Sequence, residues 1–184
     1  LNAAQRERLL AAMAEVERLM TASSVAIGIE PSNGADAQRC LDAYFRELDA
    51  RFEAGFDPGK GGSAPEAPAA ADCFMIARLD GRAVGCGALR ALDAETGEIK
   101  RMWVAPEARG LGLSRRLLEA LEAHARRFGL RRVRLDTNRV LAEAQSLYRK
   151  AGYREITRYN DNPYADFFFE KELDGNANGG ADEA

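Results

Sequence analysis

A glycine-bearing turn at residues 109–114, Arg-Gly-Leu-Gly-Leu-Ser, follows a hydrophobic strand and opens a helix rich in Leu and Arg. The first N–H groups of a helix have no intrahelical partner, and the helix dipole favours negative charge there. Glycine lets the backbone approach a phosphate without a Cβ in the way. The turn therefore predicts an α/β domain that holds a phosphate-bearing ligand between a strand and a helix.

The spacing of this turn excludes two common phosphate loops. No Gly-Lys-Ser/Thr follows, as a Walker loop requires, and Arg115 stands where the third glycine of a dinucleotide fingerprint would be. The turn does fit Gln/Arg-x-x-Gly-x-Gly/Ala, with Arg109 and Gly112 in place and Ser114 as the last small residue.

Two segments resemble signatures of the GNAT acyltransferase superfamily. Residues 98–112 resemble its strand-loop-helix motif with the acetyl-CoA loop, and residues 144–153 resemble its second signature, A-x-x-L-Y-x-x-x-G-F/Y. The resemblance covers residues 72–173 well and 25–56 loosely. It implies acetyl-CoA as cosubstrate and a three-layer α-β-α GNAT-like fold. Its mixed, mostly antiparallel sheet would be splayed between the strands that end at Val104 and Asp136, with acyl-CoA in the opening.

Hydrophobic periodicity and turn residues predict the elements of this α/β fold. The predicted helices are 3–20, 36–54 with Asp36 as cap, 112–128 with Phe128 inward, and 140–151; the predicted strands are 24–30, 73–79, 83–89, 96–104, 131–136, 153–159 and 166–173. Ile99 and Val104 would face opposite sides of a regular strand, so a β-bulge near Arg101–Met102 is expected. The resemblance places such a bulge beside the thioester.

Composition and length are those of one globular domain. We expect an N-terminal helix or linker at 1–22, an acyl-CoA N-acyltransferase domain at 23–173 and a disordered tail at 174–184. The Gly- and Pro-rich segment 56–71 predicts a flexible loop near the acceptor site. The opening helix resembles the end of a MarR-type DNA-binding domain, as found fused ahead of some GNAT domains. A packing or linker helix is the simpler alternative.

Charge is segregated along the chain. Residues 100–150 carry 13 Lys/Arg and 5 Asp/Glu, whereas residues 1–99 carry 10 and 16. A basic block around the turn suits a ligand with a pyrophosphate and a ribose phosphate, although part of it is expected to be an ordinary solvated helix face. The sequence pI of about 5.4 and the lack of a nucleic-acid motif leave nucleic acid as a partner only through a fused domain.

The three cysteines, Cys40, Cys73 and Cys86, lie in apolar surroundings without the spacing of metal ligands, which predicts reduced thiols and no metal site. No apolar run approaches the roughly 20 residues of a membrane span. We therefore expect a cytoplasmic protein without a membrane partner. A homodimer is possible from the sequence.

Acyl transfer to an amine needs a neutral amine, donors for the oxyanion and a proton for the leaving thiolate. Tyr148 is the candidate general acid, because the second signature places a tyrosine beside the CoA sulfur; a core tyrosine is the alternative. Glu98 is the candidate general base, acting directly or through water. Its alternatives are a solvated strand glutamate or a partner of Lys100 or Arg134.

Three further features carry weaker predictions. His124, the only histidine, is expected to be structural. Many relatives carry an asparagine that contacts pantetheine at the position of Leu141. Asn138, in the loop before the helix, is the candidate to replace that contact. Residues 159–164, Tyr-Asn-Asp-Asn-Pro-Tyr, could close an acceptor pocket or form an ordinary turn.

The resemblance assigns acyl-CoA contacts to Met102, Trp103, Val104, Arg109, Gly110, Leu111, Gly112, Leu113, Ser114, Asn138 and Tyr148. It predicts an N-acetyltransferase that works by direct attack in a ternary complex, with a small amine or amino acid favoured over a peptide amine. The alternative is a non-catalytic acyl-CoA-binding sensor or effector domain of a transcription regulator.

Overall fold

The computed structural model describes residues 1–60 and 69–173. The helices and strands in these ranges follow one another as α1 (Ala3–Ser23), β1 (Ala26–Ile29), α2 (Ala35–Arg51), β2 (Cys73–Leu79), β3 (Arg82–Ala91), β4 (Thr96–Val104), α3 (Leu113–Arg127), β5 (Arg132–Thr137), α4 (Ala142–Lys150), β6 (Arg154–Ile156) and β7 (Phe167–Glu172).

The strands form one mixed sheet in the order β1-β2-β3-β4-β5-β7-β6. Only β4 and β5 are parallel; the other neighbouring pairs are antiparallel. β4 pairs with β5 only at its start, where Thr96–Glu98 face Arg132–Arg134. Both strands continue beyond this pairing, so they separate toward Val104 and Thr137. The predicted three-layer fold with a mostly antiparallel, splayed sheet is confirmed.

Helices cover both faces of the sheet because its strands alternate their side chains. In β2, Met75 and Ala77 join the large core under α3, whereas Phe74 and Ile76 join the smaller cluster under α2. The inward stripe of α3 is fully buried and consists of Leu113, Leu117, Leu118 and Leu121. This packing fixes the start of α3, and with it the glycine turn, against β3 and β4.

The predicted bulge is present at Arg101, whose φ is 57°. Cys86 pairs with Trp103 and Ala88 with Lys100, so two residues of β4 lie opposite Gly87. A Cβ on Gly87 would come within 2.8 Å of the Met102 sulfur and of a Leu121 methyl group, so a larger residue there would displace these side chains. The extra residue turns the end of β4 away from β5.

Three predicted details are wrong. Asp36 does not cap α2, because the N-cap is Gly34. The Asp36 carboxylate instead pairs with Arg78 at 2.7 Å. Phe128 is 47% exposed, because it is the C-cap of α3 and lies past the helix's inward stripe. The strand predicted at 153–159 ends at Ile156, since the following residues turn toward the open end of the sheet.

Helix α1 has no buried residue and is joined to the rest of the chain where Arg116 donates to the carbonyls of Ala22 and Val25. None of the helices in residues 1–60 and 69–173 combines the length and apolar character needed to cross a membrane. The predicted disordered tail and residues 61–68 of the predicted flexible loop lie outside the described residues.

Candidate active site

The glycine turn presents a row of backbone donors at the start of α3. Gly110 and Gly112 have φ of 81° and 73°, a left-handed conformation that favours glycine. Open space surrounds the position of a Cβ at either glycine. Within the described chain, the N–H groups of residues 110–115 donate no hydrogen bond, and no side chain caps α3. The turn therefore has the donors and the room that an anion requires.

The side chains around the turn attach it to α2 rather than point at this open space. The Arg109 guanidinium contacts Glu47 at 2.6 Å and the Val104 carbonyl at 3.1 Å. The Trp103 indole donates to the same Glu47 carboxylate at 2.9 Å. Arg109 and Trp103 thus orient the turn, while its backbone stays available.

Helix α2 also contacts the opposite side of the splayed opening. Arg51 donates to the Val140 carbonyl at 2.8 Å and pairs with Glu143 at the start of α4. The hydrogen bond from Arg51 is the largest reason that the pKa of Glu143 lies below its usual range. Helix α2 therefore contacts both edges of the opening, through Glu47 on the β4 side and through Arg51 on the α4 side.

A cavity of 930 Å³ lies between α2 and the splayed strands. Its sheet side includes Glu98 and the bulge residues Arg101 and Met102, and Tyr148 of α4 lies at its border. The volume is within the range of small-molecule sites, about 300–1,000 Å³. The cavity meets the opening between β4 and β5, so a ligand in that opening would reach it.

Tyr148 lies against this cavity with 5% of its surface exposed. Its ring packs on Tyr153 and Phe169, each with ring centroids 5.9 Å away. Its hydroxyl makes no hydrogen bond to any described residue. Burial, and to a lesser extent the negative charge of Asp136, raise the pKa of Tyr148 above its usual value. The hydroxyl is therefore a protonated donor at neutral pH with no partner in the described chain.

Glu98 is buried, with 1% of its surface exposed, so it is not the solvated strand glutamate among the alternatives. It pairs with Arg90 at 2.7 Å and with Lys100 at 3.4 Å. The Tyr159 hydroxyl and the Asn160 amide donate to its Oε1 at 3.0 and 3.2 Å. Lys100 was among the expected partners, but Arg134 instead binds Glu170 at 2.8 Å.

Asp136 is a second carboxylate of the cavity, and sequence reasoning missed it. It lies on β5 beyond the last residue paired with β4. Its oxygens accept from the amides of Asn160 at 2.7 Å and Asn162 at 2.8 Å. The Asn160 amide nitrogen also contacts Glu98, so the two carboxylates lie on either side of one side chain. The position of Asp136 at the end of the strand predicted to border the opening was the available signal.

Asn138 lines the cavity, but its amide is engaged in local structure. It donates to the Tyr164 carbonyl at 2.7 Å and accepts from the Val140 N–H at 3.0 Å. The segment 159–164 contributes Asn162 and Tyr164 to the cavity lining, while Tyr159 and Asn160 act through the two carboxylates. Asn138 therefore fixes the border of the cavity on the α4 side.

One wall of the cavity is aromatic. The Phe56 ring lies 4.8 Å from Tyr164, 5.6 Å from Phe45 and 5.8 Å from Phe52, measured between centroids. The Asp57 N–H donates to the Tyr164 hydroxyl at 2.9 Å, which positions that ring. We call Phe45, Phe52, Phe56 and Tyr164 the aromatic wall. Sequence periodicity identified Phe45 on the inward face of α2 but gave no sign that the rings would meet.

Of the remaining candidates, Cys73 lines the cavity, whereas His124, Cys40 and Cys86 lie outside its lining. His124 is buried against Phe128, with ring centroids 4.6 Å apart, in the interior side of α3. Cys40, Cys73 and Cys86 are free thiols. Among residues 1–60 and 69–173, no group of three or more His, Cys, Asp or Glu side chains is placed to hold a metal ion.

A mixed sheet that opens beside a glycine turn, with a tyrosine at the opening, defines an acyltransferase type of site. The family model described as Acetyltransferase (GNAT) family matches residues 39–153. The chain belongs to this family.

Relatives and solved structures agree with the family match. IAA acetyltransferase of Azospirillum brasilense is 44% identical over 105 residues, which are 54% of this chain and 67% of that protein. Two further curated relatives are matched over 52% and 56% of their length. A GNAT-family acetyltransferase from Staphylococcus aureus superposes with a TM-score of 0.66 at 19% identity, over 80% of this chain and 99% of that one. One from Elizabethkingia anophelis, solved with acetyl-CoA bound, has a TM-score of 0.55 at 15% identity over 82% and 99% of the chains.

Proposed function

We propose that the protein transfers the acetyl group of acetyl-CoA to a primary amine of a small molecule or amino acid, by direct attack in a ternary complex. The observation that carries this proposal is the row of unused N–H donors at residues 110–115, next to an opening between β4 and β5 that leads to a cavity of 930 Å³. Family membership supports the chemistry, and the Elizabethkingia relative was solved with this cosubstrate.

The donor site follows from the residues that border the opening. The N–H groups from Gly110 to Ser114 would hold the pyrophosphate, because unpaired donors at a helix start favour a dianionic group. Met102, Trp103 and Val104 would lie along the pantetheine arm on the β4 side. Asn138 and Tyr148 would border it on the α4 side. The bulge at Arg101, whose φ is 57°, would lie beside the acetyl group.

The transfer step is balanced with the residues present. The neutral amine nitrogen attacks the acetyl carbonyl carbon, a C–N bond forms and the C–S bond breaks. Tyr148 gives its hydroxyl proton to the leaving sulfur and regains a proton from the nitrogen as the amide forms. No covalent enzyme intermediate is required.

An amine that arrives as an ammonium ion must first lose one proton. We assign this proton to Glu98, through a water molecule rather than by direct contact. Four groups already approach its two oxygens: Arg90, Lys100, Tyr159 and Asn160. A water at the cavity floor could reach the carboxylate without displacing them.

The test is a coupled measurement of binding and turnover. Calorimetry should show acetyl-CoA binding, and a panel of primary amines should release free thiol in proportion to the acetylated amine found by mass spectrometry. Binding of acetyl-CoA without amine-dependent thiol release from any acceptor would overturn the enzyme proposal. That result would support the sensor alternative.

A further inference from the structure

Seven charged side chains line the cavity: Glu30, Asp72, Arg90, Glu98, Lys100, Arg101 and Asp136. Most of them are satisfied within the fold. Glu30 pairs with Arg78 at 2.8 Å. Asp72 accepts the Ala91 N–H at 2.7 Å, and Glu98 holds both Arg90 and Lys100. These groups leave little charge for a ligand to neutralise.

Three charged groups of the lining lack an ion-pair partner among the described residues. One is Asp72, whose oxygens accept the N–H groups of Ala69 and Ala91; the other two, Asp136 and Arg101, have opposite signs. Asp136 accepts only the neutral amides of Asn160 and Asn162. Arg101 is exposed at the bulge, and its guanidinium forms neither an ion pair nor a hydrogen bond within the described chain. A carboxylate without a cation and a guanidinium without an anion therefore border the same cavity.

Both groups lie near one ring, that of Tyr44. Burial is the largest reason that the pKa of Tyr44 lies above its usual range; the negative charge of Asp136 raises it further, and the positive charge of Arg101 lowers it. Tyr44 itself lies 5.4 Å from Phe45, centroid to centroid, at the edge of the aromatic wall. The two charges, Tyr44 and the aromatic wall thus all line one cavity.

We propose that the acceptor is a free aromatic amino acid, whose ammonium group contacts Asp136, whose carboxylate contacts Arg101 and whose ring packs on the aromatic wall. This inference rests on the proposed function and adds the chemical class of the acceptor. A simple arylalkylamine would leave Arg101 without an anion, and a peptide or amide would do the same. A small aliphatic amino acid would leave the aromatic wall uncovered.

The first experiment compares four acceptors with the wild-type protein and acetyl-CoA: phenylalanine, phenylalaninamide, phenethylamine and alanine. We expect kcat/KM for phenylalanine to exceed each of the others by about 10-fold or more, the scale of one charge-assisted contact or one well-buried ring. Phenylalaninamide or phenethylamine performing as well as phenylalanine would overturn the role of Arg101. Alanine performing as well would overturn that of the aromatic wall. Either result leaves acetyl transfer itself standing, because thiol is still released.

The second experiment uses variants to assign each contact. Arg101→Gln should reduce the preference for phenylalanine over phenylalaninamide by about 10-fold, and Arg101→Lys should restore part of it. Arg127→Gln, which removes a positive charge on exposed α3 surface, should keep the preference. Asp136→Asn should raise KM for every amine, whereas Asp80→Asn, at an exposed aspartate of the turn between β2 and β3 outside the lining, should not. An unchanged preference in Arg101→Gln would contradict the assignment, and the wild-type ranking decides the acceptor class even if a variant fails to fold.

Discussion

The donor side and the acceptor side of the cleft are built in different ways. The donor side is one continuous segment, β4 with its bulge, the glycine turn and the start of α3, and it offers backbone N–H groups. The acceptor side is assembled from α2, β4, β5 and the segment 159–164, and it offers side chains. A backbone site recognises what all members of a family share, whereas a side-chain site can differ from one member to another.

The two sides also differ in how their polar groups are satisfied. On the donor side, the N–H groups of residues 110–115 are unused within the described chain. On the acceptor side, a continuous network joins Lys100, Glu98, Asn160 and Asp136. Substitutions on the donor side should therefore change cosubstrate affinity, and those on the acceptor side should change turnover and acceptor choice.

The largest effect is expected on the acceptor side, from Glu98→Gln. If this carboxylate takes the amine proton, turnover should fall by roughly 10²–10⁴-fold, with acetyl-CoA affinity almost unchanged. Partial recovery at high pH is expected, because the amine is then already neutral. Glu170→Gln is the matched control, since Glu170 is also buried and paired with two basic side chains, Arg134 and Arg154, but does not line the cavity. Equal rate losses in both variants would mean that Glu98 is structural.

On the donor side, Gly112→Asp should weaken acetyl-CoA binding by roughly 10- to 100-fold, because it adds a negative charge at the pyrophosphate. Gly129→Asp provides the control at the other end of α3. Gly129 has φ of 80° and open space at its Cβ position, so the backbone strain is comparable. Calorimetry should show normal affinity in the Gly129 variant, and undiminished affinity in a folded Gly112→Asp variant would refute the phosphate site.

Tyr148→Phe tests the proposed general acid, which lies where the donor side meets the acceptor side. Turnover should fall by roughly 10-fold, with little change in melting temperature, because the hydroxyl has no partner to lose. Tyr153→Phe should do the reverse: its hydroxyl donates to buried Glu122 at 3.0 Å, so stability should fall by about 1 kcal/mol while the rate is kept. Thermal melts and steady-state rates of the two variants decide between an acid and a core tyrosine.

The pH–rate profile gives an independent check on Tyr148. Its pKa lies above the usual value because of burial. The protonated donor should therefore persist to high pH, and no loss of rate from Tyr148 is expected below about pH 10. A fall in kcat near pH 8 that disappears in Tyr148→Phe would contradict a raised pKa of Tyr148.

The smallest effect is expected at the contact that joins α2 to α4. Arg51 lowers the pKa of Glu143, so the pair stabilises the fold at pH values above the ordinary glutamate pKa, and this stabilisation is lost as the pH falls through the lowered value. Because Glu143 is 64% exposed, Glu143→Gln should cost well under about 1 kcal/mol at pH 7. Chemical denaturation of both forms at a series of decreasing pH values should show this small difference at pH 7 and its decrease as the pH falls below the ordinary glutamate pKa.

Much of the fold was predictable because its signals are local. The Asp80-Gly81 hairpin turn, with φ of 49° and 78°, has the backbone that an Asp-Gly dipeptide favours. The bulge at Arg101 follows from the broken alternation between Ile99 and Val104, and the end of α3 follows from Gly129. Phe128 was misplaced because a periodic pattern cannot show that a helix has already ended.

The sequence by itself determined the class of protein and its glycine turn, the start of α3 and the bulge, because these are properties of neighbouring residues. It also identified Glu98 and Tyr148 as candidates, but not their surroundings. Only the tertiary structure decided that Arg90 pairs with Glu98, and that Asp136 and Glu98 share Asn160. It also decided that Tyr164 and three phenylalanines, in α2 and after it, form the aromatic wall. Arg90 and Glu98 face each other on neighbouring strands. The contacts of Asn160 join residues 62 and 24 positions apart, and they form only when helices pack on both faces of the sheet.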